Sequence, residues 1–388
     1  MNRRDRRRHE QGTHANAPLG KERTTVKLHR SGSLKPLTAA LAAGALAFGL
    51  AACGGDSNGD EDSASAATSS ATTAQVAETT GAAADPGRRL TVGVVANNLA
   101  SPSVKRIGDA FEAAAKERGW TVEMFDNKGD MAASNNQADQ FLQRGVDAIV
   151  NINGPNSQMG GVIERAHEAG KPFVSVYGGS GSAADVEIGT NESINSAAVT
   201  QGMVDRLHGR GRVLVLKWNA GGAAALLDRY SAMKGLLSNQ PGIEIVKEIE
   251  VRVPGQVEDA FNQTTNFLKG TRDIDAIWIA FDEIAPPVVR ALEQAGLDRD
   301  VFVVGFNGNP FAWDMIREGT PYVLEPANPF EPMGEKAVEM VAQIAAGRRS
   351  ETPFVAMRPC LIDEQTVPAK GEFPDWETCP FFTGDIGQ

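Results

Sequence analysis

Apolar runs of strand length recur along the chain from residue 90 onward, each closed by polar residues or glycine and then followed by helical spacing. The pattern predicts strands at residues 90–95, 121–125, 148–152, 173–177, 213–218, 243–249, 276–280 and 301–306. Several of these are apolar almost throughout, as a strand covered on both faces must be. Between them the period lengthens. Val104, Ile107, Phe111 and Ala114 fall on one helical face, and Gly119 stands where that helix should stop. Regular alternation of strand and helix predicts an α/β protein with parallel sheets flanked by helices. There is more of it than one sheet accommodates, so two doubly wound lobes are expected.

The chain before residue 90 follows other rules. Residues 1–36 are polar and rich in arginine, and residues 37–53 form an apolar run shorter than the roughly 20 residues a permanent membrane helix requires. Leu50-Ala51-Ala52-Cys53 followed by Gly54-Gly55 resembles a bacterial lipobox, in which small residues admit the peptidase and the cysteine thiol takes the lipid. Residues 1–52 are therefore expected to be a signal peptide, with Cys53 as the lipidation site; a short transmembrane anchor is the alternative. One lipid-modified terminus would hold the mature chain at the extracytoplasmic face of the cell membrane, each buried CH₂ contributing about 0.8 kcal/mol. Residues 53–88 contain almost nothing large and apolar, so they read as a flexible tether.

Charge and cysteine content narrow the function. The chain of 388 residues is 41% apolar and 22% charged, enough for packed cores. Its net charge of −11 conceals a split: residues 1–52 carry ten Lys/Arg against three Asp/Glu, which leaves −18 on everything from Cys53 onward. So acidic a body cannot neutralise a phosphate backbone, which sets nucleic-acid binding aside. With Cys53 assigned to lipid, Cys360 and Cys379 are left as a pair in an exported compartment where disulfides persist. Closing that loop contributes about 3 kcal/mol; two free thiols are the alternative.

In open parallel sheets a ligand sits beyond the carboxyl ends of the strands. Those ends carry Asn97 and Asn98, Asp126 and Asn127, Asn153, Tyr177, Trp218 and Asn219, Phe281 with Asp282 and Glu283, and Asn307 with Asn309. A single asparagine there is more often a turn former. So many on one edge shift the balance toward a binding site. Amides donate and accept, and aromatic faces cover C–H surfaces, so the set suits a neutral polyhydroxylated molecule. Only Lys128, Lys217 and Arg229 supply nearby positive charge.

An enzyme has little to work with. His9, His14 and His29 leave with the signal segment, and His167 and His208 fall in predicted helices. There is no H-E-x-x-H, no paired CxxC and no G-x-G-x-x-G after the first strand, so no metal or cofactor is expected. The loop from Gly178 to Ser182 is glycine-rich, but Asp185–Thr190 after it reads as a strand, without the helix N-terminus that anion binding needs. A hydrolase built on Asp282 and Glu283 is the one catalytic alternative.

From about residue 89 to 366 the sequence resembles the type I periplasmic-binding-protein fold, and within it the ribose and related sugar-binding components of ABC importers. The resemblance is carried by LTVGVVANNLASPSVKRIGDAFEAAAKERGW, GVDAIVNIN, GKPFVSVY, DIDAIWIAFDEIAPPVVRALEQAG and VFVVGFNGNP. It implies two lobes joined by three crossovers, near Thr190–Asn191, Asn328 and Met357–Cys360. One lobe would comprise residues 89–191 and 329–357, the other 192–328 and 358–388. It also implies a monomer that hands its ligand to a permease driven by a separate ATPase. Sugar-responsive repressors share the core but need a helix-turn-helix and a cytoplasm. A sensory partner for a membrane kinase or chemoreceptor stays open.

The family's site carries over in part. Its asparagine after the third strand matches Asn153, its glutamine past the second crossover falls on Asn328, and its carboxylate in the V-G-F-D-G turn is Asn307. Phe281 replaces an asparagine, Tyr177-Gly178 an Asp-Arg pair, and Ser103 and Val104 two aromatics; Arg229 stands for a cleft arginine. The resulting candidate set is Asn97, Asn98, Ser103, Asn153, Tyr177, Trp218, Arg229, Phe281, Asp282, Asn307 and Asn328. These departures remove charged hydroxyl partners and leave a monosaccharide, a polyol or a less polar small molecule as the expected ligand.

Overall fold

The computed structural model describes residues 88–381 apart from 180, 182, 221 and 222, so the expected signal peptide, Cys53 and the tether to residue 87 lie outside it. The described chain forms two six-stranded sheets. Sheet A is ordered β11-β5-β4-β3-β1-β2, from β1 (Thr91–Ala96), β2 (Thr121–Asp126), β3 (Ala148–Ile152), β4 (Phe173–Val176), β5 (Val186–Gly189) and β11 (Phe354–Ala356), all parallel. Sheet B is ordered β12-β10-β9-β8-β6-β7, from β6 (Gly211–Lys217), β7 (Ile243–Glu250), β8 (Ala276–Ile279), β9 (Phe302–Val304), β10 (Tyr322–Ala327) and β12 (Cys360–Asp363). Its last strand alone runs antiparallel, against β10.

All eight strands expected from the pattern are present, within a few residues at their ends. The prediction for 301–306 is trimmed to Phe302–Val304, although Gly305 still donates to the Leu324 carbonyl of β10 at 3.0 Å. The segment from Asp185 does continue as a strand, β5, and not as a helix. Beyond those eight and β5, the structure adds β10, β11 and β12. The last two are three and four residues long, too short for a pattern to establish itself, and β10 contains Pro326, which argues against a strand interior.

Sheet A is covered on both faces. Val92, Val94 and Ala96 point into one core with α1 (Pro102–Glu117) and α9 (Phe330–Ala345), while Val95 points into the other with α2 (Met131–Arg144) and α3 (Gly160–Glu168). Period-two alternation that is apolar on both sides is thus what the near-continuous runs encode. Gly93 faces the second core, where a Cβ would lie 2.5 Å from the Phe141 ring, so a larger residue would clash. Sheet B packs with α4 (Glu192–Arg206), α5 (Ala224–Leu237), α6 (Gln256–Gly270), α7 (Ala285–Ala295) and α8 (Pro310–Arg317) around a core that includes Trp278, Phe306 and Tyr322.

The chain passes between the sheets between β5 and α4, between β10 and α9, and between β11 and β12. Cys360 and Cys379 are disulfide-bonded, their Cα atoms 5.5 Å apart, and tie the C-terminal segment to β12. No helix among the described residues is long and apolar enough to cross a membrane.

Candidate functional site

Parallel strands release the chain at one edge, so each sheet presents its β–α connections there, and a cavity of about 640 Å³ lies between the two sets. Four of its non-glycine lining residues lie in the left-handed region just past their strands: Lys128 (φ 54°), Asn153 (φ 59°), Tyr177 (φ 61°) and Asn307 (φ 112°). Asparagine tolerates that conformation, but a bulky tyrosine does not unless its surroundings fix it. Here the Tyr177 hydroxyl is fixed from three sides. It donates to Glu192 Oε1 at 2.6 Å and accepts from Arg229 Nη2 at 2.6 Å and Asn328 Nδ2 at 2.9 Å.

Nine of the eleven candidates line the cavity: Asn97, Asn98, Ser103, Asn153 and Tyr177 from sheet A connections, and Trp218, Arg229, Phe281 and Asn307 from sheet B connections. Asp282 and Asn328 do not. Asp282 is fully buried, with Oδ1 accepting from Asn309 Nδ2 at 2.9 Å and Asn307 Nδ2 at 3.2 Å, and Oδ2 from the Asn309 backbone N–H at 2.8 Å. It braces Asn307 from behind and offers no oxygen to a ligand. Asn328, also fully buried, holds Tyr177 and accepts from Asn195 Nδ2 at 3.2 Å. A residue at a strand end can turn into the cleft or beneath it, and both of these turn beneath.

Arg229 is 1% exposed and is held by Glu192 Oε2 (2.5 Å), the Ala280 carbonyl (2.7 Å) and Tyr177, with its guanidinium 4.8 Å from the Phe306 ring centroid. Burial disfavours its charge, but Glu192, Tyr177 and Asp282 together outweigh that and raise its pKa above the ordinary arginine value. Three of its five N–H groups are engaged in these contacts, and the residue lines the cavity.

Glu192 went unnoticed in the sequence. It takes Arg229, Tyr177, Asn195 and Asn328, along with the Thr190 hydroxyl, at the crossover between β5 and α4. Its only signal was its place beside Asn191, the N-cap of α4. Ser101, Gln158, Gln256 and Glu283 also line the cavity without having been chosen as binding residues. Ser101 Oγ donates to Glu283 Oε1 at 2.6 Å and Gln256 Nε2 to Glu283 Oε2 at 3.0 Å. Of the Asp282–Glu283 pair, one carboxylate is therefore sealed beneath the cavity and the other lines it while accepting from Ser101 and Gln256.

The glycine-rich loop is occupied from within. The N–H groups of Gly178 and Gly179 donate to Glu187 Oε1 at 2.8 and 3.2 Å, and Asn156 Nδ2 to its other oxygen at 2.9 Å. A buried carboxylate of the chain itself fills the place an anion would take.

Burial pushes Glu187 up to about 7 despite those donors, and burial likewise raises Asp282 above the ordinary aspartate range. Both groups bind protons in the folded protein that the unfolded chain has already released near pH 4 to 5. The stability they contribute is complete below that range and lost as pH rises through about 7. A thermal melt should therefore fall by ~5 °C or more between pH 5 and pH 8; a flat profile would contradict the assignment.

Several contacts bridge the two sets of connections. Ser101 reaches Glu283, Asn309 Nδ2 donates to Ser103 Oγ at 3.1 Å, and Arg106 Nη1 donates to the Gly308 carbonyl at 2.8 Å. The cleft is thus drawn together from both lobes.

Residues 92–349 match the family described as Periplasmic binding protein domain. Among curated proteins, the ribose import binding protein of Bacillus subtilis is 22% identical over 284 residues, covering 72% of this chain and 88% of its own. The xylitol-binding protein of Mycolicibacterium smegmatis is 23% identical over 287 residues, covering 72% of each chain. A solved ABC transporter solute binding protein from Agrobacterium vitis with bound allitol has a TM-score of 0.67 at 22% identity, covering 72% of this chain and 96% of that one. These likenesses show a shared fold.

Proposed function

Since the chain belongs to the periplasmic binding protein domain family, we propose that it captures a sugar or related polyol between its lobes and delivers it to an ABC importer. The observation that carries this reading is the cavity itself, walled by strand-end amides and aromatic rings from both sheets. The Asn97, Asn153 and Gln158 side chains make no hydrogen bond to any described residue, so their donors and acceptors are free for hydroxyl groups. Tyr177, Trp218 and Phe281 supply faces for C–H surfaces.

The lobes in this reading are residues 89–191 with 329–357 and residues 192–328 with 358–388. Ligand adds contacts to both walls that only the closed arrangement provides, so it shifts the population toward closure by the difference in affinity. The closed pair of lobes is the shape a permease would recognise, with a separate ATPase supplying energy. In this reading the ligand leaves unaltered. A lipid on Cys53 and the tether would keep this monomer at the extracytoplasmic face of the membrane.

Isothermal calorimetry against a panel of pentoses, hexoses and polyols tests the reading. At least one should bind with a micromolar or tighter Kd, about 8 kcal/mol. Asn153→Ala or Asn307→Ala should weaken it by roughly tenfold or more, the cost of leaving a ligand hydroxyl unpaired. An absence of heat from every member would overturn the proposal.

A further inference from the structure

The two walls of the cavity are not chemically alike: the sheet B wall turns apolar at its outer edge, whereas the sheet A wall is mostly polar. The crossovers join the lobes at the β5, β10, β11 and β12 side of each sheet, while β2 and β7 form the opposite edges. Toward the crossovers the lining carries Asn153, Arg229 and the Asn307 side-chain carbonyl, whose own amide is spent on Asp282, while the Tyr177 hydroxyl is committed to Glu192, Arg229 and Asn328. Toward the outer edge, the connections that follow β6 and β7 present Trp218, Ala220, Ala223, Leu226, Val253 and Pro254. Among the described side chains of that wall, the indole N–H alone can pair with a hydroxyl group. Gln256 at its margin already donates to Glu283, which Ser101 also holds.

The apolar wall is neither core nor open surface. Trp218, Leu226 and Val253 are half-buried, with their inner sides packed on the sheet B core and their outer sides on the cavity. Opposite them stand Asn97 and Asn98 after β1 and, in the turn before α2, Lys128 and Asp130 with opposite charges, so the facing wall is polar but brings no net charge to offer an acidic group. The cavity of about 640 Å³ is the space of roughly twenty waters at ~30 Å³ each, far more than one six-carbon sugar displaces. A plain sugar seated against the amides would leave the apolar wall wet. Displacing that water with hydrocarbon gains about 0.8 kcal/mol per CH₂, or roughly fourfold in affinity.

We propose that the ligand is amphiphilic: a sugar or polyol bearing an apolar substituent, such as an alkyl or aryl glycoside. Its hydroxylated part faces the crossover end and its substituent lies against Trp218, Leu226, Val253 and Pro254. This rests on the reading of the cavity as a sugar or polyol site and specifies which members of that class it selects.

The test compares matched pairs on the full chain by calorimetry: glucose, galactose, xylose and ribose, each beside its methyl, hexyl and phenyl glycosides. For the sugar that binds, the hexyl or phenyl glycoside should bind at least tenfold more tightly than the free sugar, with affinity rising from methyl to hexyl. In Leu226→Asn and Val253→Asn proteins that ratio should fall toward one. If a free sugar binds and its hexyl and phenyl glycosides bind no better, the amphiphilic assignment is wrong while the sugar site stands. If no sugar, polyol or glycoside binds, the sugar-site reading fails and this inference falls with it. A tighter glycoside whose advantage survives both substitutions would move the substituent off this wall and overturn the placement.

Discussion

A Glu192→Ala protein melts roughly 10 °C below its parent and loses measurable ligand affinity. Glu192 is 4% exposed and faces Arg229, which is 1% exposed, so truncating it strands a buried guanidinium. Breaking one partner of such a pair costs about 3–5 kcal/mol, and in a protein of this size each kcal/mol moves the melting temperature by about 2–4 °C. The loss extends beyond the pair. Tyr177 sits at φ 61° and Asn328 is fully buried, and both depend on the same carboxylate. With it gone, Tyr177 has less to hold it in a left-handed conformation, and the cavity wall it forms drifts. The pairing logic gives a second readout. Because removing both charges spares the orphan, Glu192→Ala combined with Arg229→Met should melt above Glu192→Ala alone. A single variant within about 2 °C of the parent by differential scanning calorimetry contradicts the role assigned to this hub.

The hub also shows where sequence reasoning stopped. Strands were legible because two-sided burial forces unbroken apolar runs such as Ala148–Ile152, and the edge that binds ligand follows from parallel topology alone. Residue type at that edge was legible as well, which is why Asn153, Tyr177 and Phe281 were found. What sequence could not supply is the direction of a side chain at the end of a strand. Asp282 turns beneath the cavity because Asn307 and Asn309, both more than twenty positions later, converge on it. Asn328 turns inward because Tyr177 lies more than a hundred positions earlier. Glu192 draws its partners from four separate segments, and no local pattern records such a meeting. The apolar outer wall escaped for the related reason that Leu226 and Val253 look like ordinary half-buried packing until the opposite lobe is placed across from them.

Replacing Cys360 and Cys379 together by serine is expected to lower the melting temperature by roughly 6–10 °C, and reducing the parent with dithiothreitol should do the same. The bond closes a loop between residues 19 apart, and loss of such a constraint is worth about 3 kcal/mol through the unfolded chain, or about 2–4 °C per kcal/mol here. A further effect distinguishes this bridge from a simple staple. The segment it pins carries Phe373, whose ring meets Trp313 of α8 edge-on at 5.8 Å and lies 5.4 Å from the Arg106 guanidinium. Arg106 stands on α1 in the other lobe, where it is paired with Glu331 at 2.6 Å, stacked on Phe330 and bonded to the Gly308 carbonyl at 2.8 Å. The tail therefore completes one of the contacts that hold the lobes together. A cation–π contact at an exposed ring contributes about 0.5–1 kcal/mol, so Phe373→Ala should cost little stability while weakening ligand binding by roughly two- to fivefold. The serine pair should show both losses, and calorimetry on the two proteins separates them. Equal affinity in all three proteins would confine the tail to anchoring its own lobe. A serine pair that melts with the parent would remove the disulfide from the forces holding this fold.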